Sequence, residues 1–278
     1  MELNKVETQL MYEQAHSKYQ KKALLKSQFK GLVELPEEIE NRDYVESVII
    51  DVLAILLERP SIYISSIIEM LCERDLERSE ELIKIVLLGG MLGYYTLNQK
   101  RHTIQLISKY TPNELLQERL DNFKYLNPML VRPLPVNSRG NNRGSGYLTV
   151  GNDSLILGGV HHTKDIDSAF LDKLNGTKFT LNIDVIRAYR NKWKCFSEGK
   201  VKEETIRAFE HYEKGCYKAF AQMISQGNEF YLTHKYDKRG RVYNCGYYIS
   251  PQGNSYAKSV LELANKELIS KEINFFED

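Results

Sequence analysis

The sequence predicts an α+β protein, mainly α with small β elements, and three features predict it. Residues 4–92 hold successive stretches with helix start and stop signals and apolar residues at helical spacing. Short runs of strand composition at 94–107 and 230–249 are bounded by turn residues. A tract rich in Pro, Gly, Asn and Arg at 127–146 divides the chain and reads as a loop or domain crossing.

Taken in order, residues 4–30 read as one exposed amphipathic helix stopped by Gly31. Asp43 and Glu46 have capping-box spacing, so a helix runs from there to about Glu58, where Pro60 breaks it. A second helix is predicted over 61–74. Ser79, followed by Glu80 and Glu81 in a dipole-favoured first turn, starts a third that ends between Gly89 and Gly93. Residues 94–97 and 103–107 form a β-hairpin around the polar tip Asn98, Gln99, Lys100 and Arg101. Thr111 as cap, Pro112 and Glu114 then start a helix over 112–123.

Residues 147–150 and 155–157 suggest a second hairpin. Helices over 184–196 and 203–225 form an antiparallel pair, the latter with Ile206, Phe209, Phe220, Met223 and Ile224 on one stripe and Gly227 as its stop. Strands at 230–232 and 242–249, a turn at 250–253 and a helix over 254–266 complete the chain. The expected domains are 1–126, helical with its hairpin at 94–107; 127–183, a crossing with hairpin and helix; 184–227, a helix pair; and 228–278.

With 278 residues, 42% hydrophobic and 27% charged, the chain has the composition of a packed protein and not of a disordered one. Its longest apolar stretches, 48–57 and 83–95, are interrupted by Asp51 or by glycine and fall short of the roughly 20 residues of a membrane span. Residues 1–30 lack the apolar core of a secretory signal, so a cytoplasmic protein is expected. Cys72, Cys195, Cys216 and Cys245 are scattered and suit free thiols. Residues 1–90 hold 11 Lys and Arg against 17 Asp and Glu, and the other 188 hold 27 against 20, so an anionic ligand should prefer the second part.

The most informative segment is 234–243, where Lys235, Lys238, Arg239 and Arg241 flank Asp237 and alternate with Tyr236 and Tyr243. Arginine forks suit phosphate, Gly240 admits a polymer close to the backbone, and Tyr243 can stack on a base or sugar. The plain alternative is a solvated turn between two strands. His161, His162 and His234 lack partners at metal spacing and read as surface or turn residues. Trp193, beside Arg190, Lys192 and Lys194, reads as a core aromatic, and Glu277 and Asp278 as a frayed tail.

Asp237-Lys-Arg-Gly-Arg-Val-Tyr243, followed by Ser250-Pro-Gln-Gly-Asn254, resembles the Asp-x-Arg-Gly-Arg-x-Tyr and Pro-Gln-Gly-Asn signature of the single-subunit phage and mitochondrial RNA polymerases. Pro128-Met-Leu-Val-Arg-Pro-Leu-Pro135 with Gly146-Tyr-Leu148, and the run Leu174-Asn-Gly-Thr177 to Asn182, are similar to stretches upstream of it in that family. The resemblance implies that the segment opens a polymerase palm, that Arg241 lies against template and hybrid with Lys238, Arg239, Tyr243 and Lys235 as further nucleic-acid-binding residues, and that Arg239 with Asp237 also holds the loop's shape. Gly240, Gln252, Gly253 and Asn254 belong to the motif's structure. Lys238 stands where many relatives have tryptophan. The helices at 184–225 take the thumb position, with a shorter interval before the motif than many relatives have.

The hairpin at 94–107 falls at the family's intercalating hairpin. Its short polar tip predicts poor opening of duplex DNA, because apolar wedges unstack base steps. A winged helix, three helices and a wing, is the rival reading of the same stretch.

The family's two metal-binding aspartates, with a lysine and a tyrosine on a fingers helix, lie downstream of the motif in relatives, beyond Asp278. No catalytic or metal-binding residue is therefore expected in this chain. The start at a methionine and the end after a helix suggest the small subunit of a heterodimeric phage polymerase. A larger catalytic subunit would bind Mg2+, DNA template and RNA–DNA hybrid would be ligands, and a single-stranded-DNA-binding or promoter-loading helper a further partner, in the cytoplasm of a bacterial host. A winged-helix or polymerase-derived DNA-binding regulator is the alternative.

Overall fold

Two units make up the chain, one formed by His16–Lys124 and the other by Met1–Ala15 together with Tyr125–Asp278. The computed structural model describes residues 4–72, 76–136, 142–151, 153–159, 166–191 and 203–266. Helices and small antiparallel sheets give an α+β fold. No described helix is long and apolar enough to cross a membrane.

The segment 4–30 is two helices, not one: α1 Lys5–Ala15 and α2 Lys18–Ser27. Ser17 causes the break, because its hydroxyl caps α2 by accepting the Gln20 N–H. The buried positions of α1 are polar, Gln9 and Glu13, so no apolar stripe defines it.

In the unit His16–Lys124, α3 Arg42–Glu58 is the central helix, with Ile49, Val52, Leu53 and Leu56 almost fully buried. Its expected capping box does not form. Asn41, in the left-handed region at φ 51°, is the N-cap and makes no side-chain capping bond. Lys26 of α2 reaches Asp51 of α3 at 2.7 Å, and Lys21 pairs with Glu58.

After Pro60 the chain forms strand β1 Ser61–Tyr63, not the start of the predicted helix, which is the shorter α4 Ile64–Cys72. The alternating exposure of Ser61, Ile62 and Tyr63, with only Ile62 buried, is the period of a strand. A 3-10 turn precedes α5 Ser79–Met91, whose N-cap is Arg78 and not Ser79. Strands β2 Thr96–Gln99 and β3 Ile104–Ile107 form the hairpin, and β1 pairs with the other edge of β3, giving the order β1-β3-β2. Asn98 and Gln99 are therefore paired strand residues, opposite Gln105 and Ile104, and the tip is 100–103, closed by Lys100 N–H to Thr103 C=O at 2.8 Å. The succession α3, β1, α4, α5, β2, β3, with the last strand in the middle, is the connectivity of a winged helix. Helix α6 Glu114–Lys124 is capped by Asn113, which accepts the Leu116 N–H at 2.8 Å, and not by Thr111.

In the second unit no hairpin is seen among the described residues of 147–157. The described backbone there makes isolated bridges, Arg143 with Ser154 and Ile156 with Tyr236. Helix α7 Ser168–Asn175 leads into β4 Lys178–Leu181 and α8 Ile183–Ala188. The helix expected to reach residue 196 ends at Ala188, where Tyr189 turns extended, and residues 192–202, Trp193 and Cys195 among them, lie outside the described residues. Helix α9 Glu203–Ser225 spans the predicted range and buries Cys216, Ala219, Phe220 and Met223, while Ile224 is exposed. Gly227 at φ 95° supplies its left-handed stop.

Strands β5 Phe230–Tyr231 and β8 Leu261–Leu263 flank β4 in a sheet of order β5-β4-β8. The predicted final helix is thus only α10 Ser255–Ser259, with its remainder spent on β8. Asn228 continues the pairing by bonding both N–H and C=O of Leu181 through its side chain, at 3.0 and 2.9 Å. Phe220, Met223, Phe230, Leu181, Ile249 and Val260 form this unit's main core.

Candidate nucleic-acid interface

Strands β6 His234–Tyr236 and β7 Val242–Asn244 pair as a hairpin, so the predicted strand 242–249 is real only in its first residues. Its turn runs from Asp237 to Arg241 and is tied by Asp237 N–H to Arg241 C=O at 2.7 Å and Gly240 N–H to Asp237 C=O at 3.0 Å. Gly240 sits at φ +81° in open space, so backbone conformation, not crowding, demands glycine. The Asp237 carboxylate fills the concave side. One oxygen accepts the backbone N–H of Arg239 and of Arg241, each at 2.9 Å, and the other accepts Arg241 Nε at 2.7 Å with Nη2 at 2.6 Å.

Desolvation alone would raise the Asp237 pKa, but the Arg241 backbone and guanidinium together outweigh it and hold the carboxyl below its ordinary value. The same bond raises the pKa of Arg241. The guanidinium also lies over the Tyr243 ring, 5.4 Å from its centroid. Asp237 therefore fixes the loop chiefly through Arg241. Arg239, expected in that role, contributes its backbone N–H and a longer 3.6 Å side-chain contact.

The cations of the segment differ in availability. Arg239 is 72% exposed and Arg241 52%, and Lys238 is exposed at the turn. Lys235 is only 19% exposed and pairs with Asp153 at 2.6 Å, so its charge tethers the hairpin to the loop behind it. His234 is a correction: it is not a surface or turn residue but lies buried on β6, with Nδ1 2.9 Å from Asn175 Oδ1 and its pKa lowered by burial. His161 and His162 lie outside the described residues.

The second half of the motif braces the hairpin. Gln252 accepts the Asn244 N–H at 2.8 Å and donates to Val242 C=O at 2.9 Å, acting as a one-residue third strand on the free edge of β7. Gly253 has no room for a side chain beside Ala257, and Asn254 caps α10 by accepting the Ala257 N–H at 2.9 Å while donating to Asn191 at 2.8 Å.

Sequence reasoning missed Asp153 and a cluster of tyrosines that follows the hairpin. Tyr247 stacks on Tyr125 at 3.9 Å and 14°, with Tyr212 edge-on at 5.2 Å, and Tyr248 packs onto Gly215 of α9. The Tyr-Tyr pair was the one local hint. In the helical unit, Lys100 and Arg101 are exposed at the β2–β3 tip, while Asn98 is half-buried in its strand.

Among the described residues no three His, Cys, Asp or Glu side chains come together as a metal site.

No protein-family model matches the chain. Over 131 residues it is 27% identical to a probable DNA-directed RNA polymerase of Gelasinospora sp. (strain G114), a match covering 45% of this chain and 15% of that protein. Less than half of the chain is thus similar to a short part of that much longer protein.

Proposed function

We propose that this chain is the smaller subunit of a split, phage-type DNA-directed RNA polymerase. It contributes an N-terminal region, thumb-like helices and the Asp-x-Arg-Gly-Arg hairpin, while a larger partner supplies the catalytic aspartates and their Mg2+. The observation that carries this reading is the preformed turn at 237–241, whose own carboxylate orders it before any ligand arrives. A turn already ordered loses little freedom on binding, so Arg239 and Lys238 can meet phosphates at low entropic cost. Arg241, steered by Asp237 and backed by Tyr243, offers its remaining N–H groups to template or hybrid. The similarity to a probable RNA polymerase supports the polymerase part of this reading.

The test is co-expression with a large chain encoded beside it that carries the missing aspartates, then RNA synthesis on single-stranded template with Mg2+. Activity should need both chains and fall roughly tenfold or more with Arg241→Ala, the scale of losing one charge-assisted bond. A chain that never pairs yet shifts duplex DNA alone would overturn the proposal in favour of a regulator.

The winged-helix connectivity favours that second reading, a DNA-binding regulator. The outer face of α5 opposes it, since Glu80, Glu81, Ile83 and Met91 are exposed there. A helix entering the major groove brings its N-terminal residues near base edges and phosphates, where carboxylates repel.

A further inference from the structure

Between α4, α5 and the β2–β3 hairpin lies a groove of about 900 Å3, floored by Ile64, Ile68, Ile83, Leu87 and Ile104. We propose that this groove is a protein-docking site that takes a basic amphipathic helix of a partner protein. The assignment is independent of the polymerase reading, because it concerns a different unit and uses none of the hairpin residues at 237–243.

In a winged helix that reads DNA, the second helix of the helix-turn-helix enters the major groove, and the positive end of its dipole and its basic side chains meet phosphate. Helix α5 holds that place here, but its chemistry is reversed. Glu80 and Glu81 occupy its first turn and offset the dipole. Its one lysine, Lys84, is bound to Glu80 at 2.8 Å. Arg78, just before the helix, donates to the Tyr44 hydroxyl at 2.7 Å and lies over that ring at 5.5 Å. Ile83 and Met91 remain exposed, at 38% and 81%. An apolar surface between carboxylates is a surface for protein, not for a polyanion.

The charge around the groove is polarised, and this defines its occupant. Glu69 of α4 lines it and is exposed, whereas Glu80, one helical turn from Ile83 on α5, is paired with Lys84 and leaves Glu69 as the carboxylate at this end of the lining. At the other end Gln99, His102 and Thr103 of the hairpin line the groove beside the exposed cations Lys100 and Arg101. The complement is a helix with apolar residues at i, i+3, i+4 and i+7, lysine or arginine flanking that stripe, and an acidic residue at the end that meets the hairpin tip. Helix α4 has 9 residues. It is therefore roughly 14 Å long at 1.5 Å per residue, so a partner segment of about three turns covers it. A second copy of this chain does not supply such a helix from its most basic one: α2 carries Lys18, Lys21, Lys22 and Lys26 but buries Leu24 and Leu25 in its own core.

The full chain would be titrated with three probes. They are a fluorescently labelled, amidated amphipathic peptide with a leucine stripe, lysine flanks and a C-terminal glutamate; its charge-reversed twin; and a labelled DNA duplex. The lysine peptide should bind saturably, and the twin roughly tenfold or more weakly. Ile83→Asp should abolish peptide binding. Glu69→Lys, on the exposed rim where folding is not at stake, should weaken the lysine peptide and strengthen its twin. Duplex binding that Ile83→Asp removes would overturn the proposal in favour of a DNA reader. A concentration-dependent dimer in sedimentation that the same change dissolves would overturn it in favour of a second copy. Peptide binding indifferent to Glu69→Lys would sink it as non-specific adhesion.

Discussion

Among the described residues of His16–Lys124 no Asn, Gln, Ser, Thr, His or charged side chain is buried; the Tyr95 hydroxyl bonds to Val86 C=O at 2.7 Å, and the interior is otherwise a run of aliphatic contacts from Ile49 and Leu56 to Ile67 and Val86. The unit containing Tyr125–Asp278 buries Gln9, Glu13, Asn175 and His234 alongside its apolar residues. The contrast concerns what carries structural information. Apolar burial is non-directional and writes itself into sequence as a period, whereas a buried polar group must meet one particular donor or acceptor, and sequence spacing does not reveal which.

The sharpest way to break this comparison is to remove aliphatic mass from the first unit. Leu53→Ala, at a position 1% exposed on α3, should cost about 3 kcal/mol through lost transfer energy and the cavity left behind, read from urea unfolding. In the second unit the matching test is Glu13→Ala. Glu13 accepts Leu148 N–H at 3.0 Å and both Thr149 N–H and Oγ1 at 2.7 Å. Its loss leaves these part-buried donors, and the buried Gln9 amide that donates to Glu13 at 2.8 Å, without their acceptor and should cost about 2 kcal/mol. Glu13→Leu, which keeps apolar bulk, should rescue little; full rescue would show that the polar latch is ordinary packing.

A smaller effect is expected from Gly215→Ala, where the new methyl group would run into the Tyr248 ring. Overpacking of this kind should cost about 1–2 kcal/mol and disturb the tyrosine cluster, visible as a change in near-ultraviolet dichroism. The smallest is a pH slope. Burial lowers the His234 pKa below its ordinary 6.5, so the folded chain holds this imidazole neutral while the unfolded chain takes up a proton. Its stability contribution is therefore present above pH 6.5 and lost as pH falls from there through the folded value. His234→Gln should flatten that part of the curve, and an unchanged slope would assign it elsewhere.

The same contrast explains what could be read in advance. Helices α3, α5 and α9 were legible because their apolar residues recur at helical spacing. Residues 61–63 and 261–263 were not, since a three-residue strand has no period of its own and exists only because β3 and β4 lie opposite. The Arg-Gly-Arg turn was visible as a motif, but the tie of Lys235 to Asp153, across 82 residues, left no local sign. Arg241 as the main partner of Asp237 is a matter of geometry that the spacing of two arginines around Gly240 does not decide.

One consequence follows for synthesis on the ribosome. Glu13 emerges with the first helix, yet the Thr149 groups it binds appear 136 residues later. At ~5–20 residues per second the wait is on the order of ten seconds, and the whole of His16–Lys124 is made within it. That stretch holds its own aliphatic core and can close first. Helix α1 waits until the later loop arrives, so it takes its place only after all of His16–Lys124 has been made.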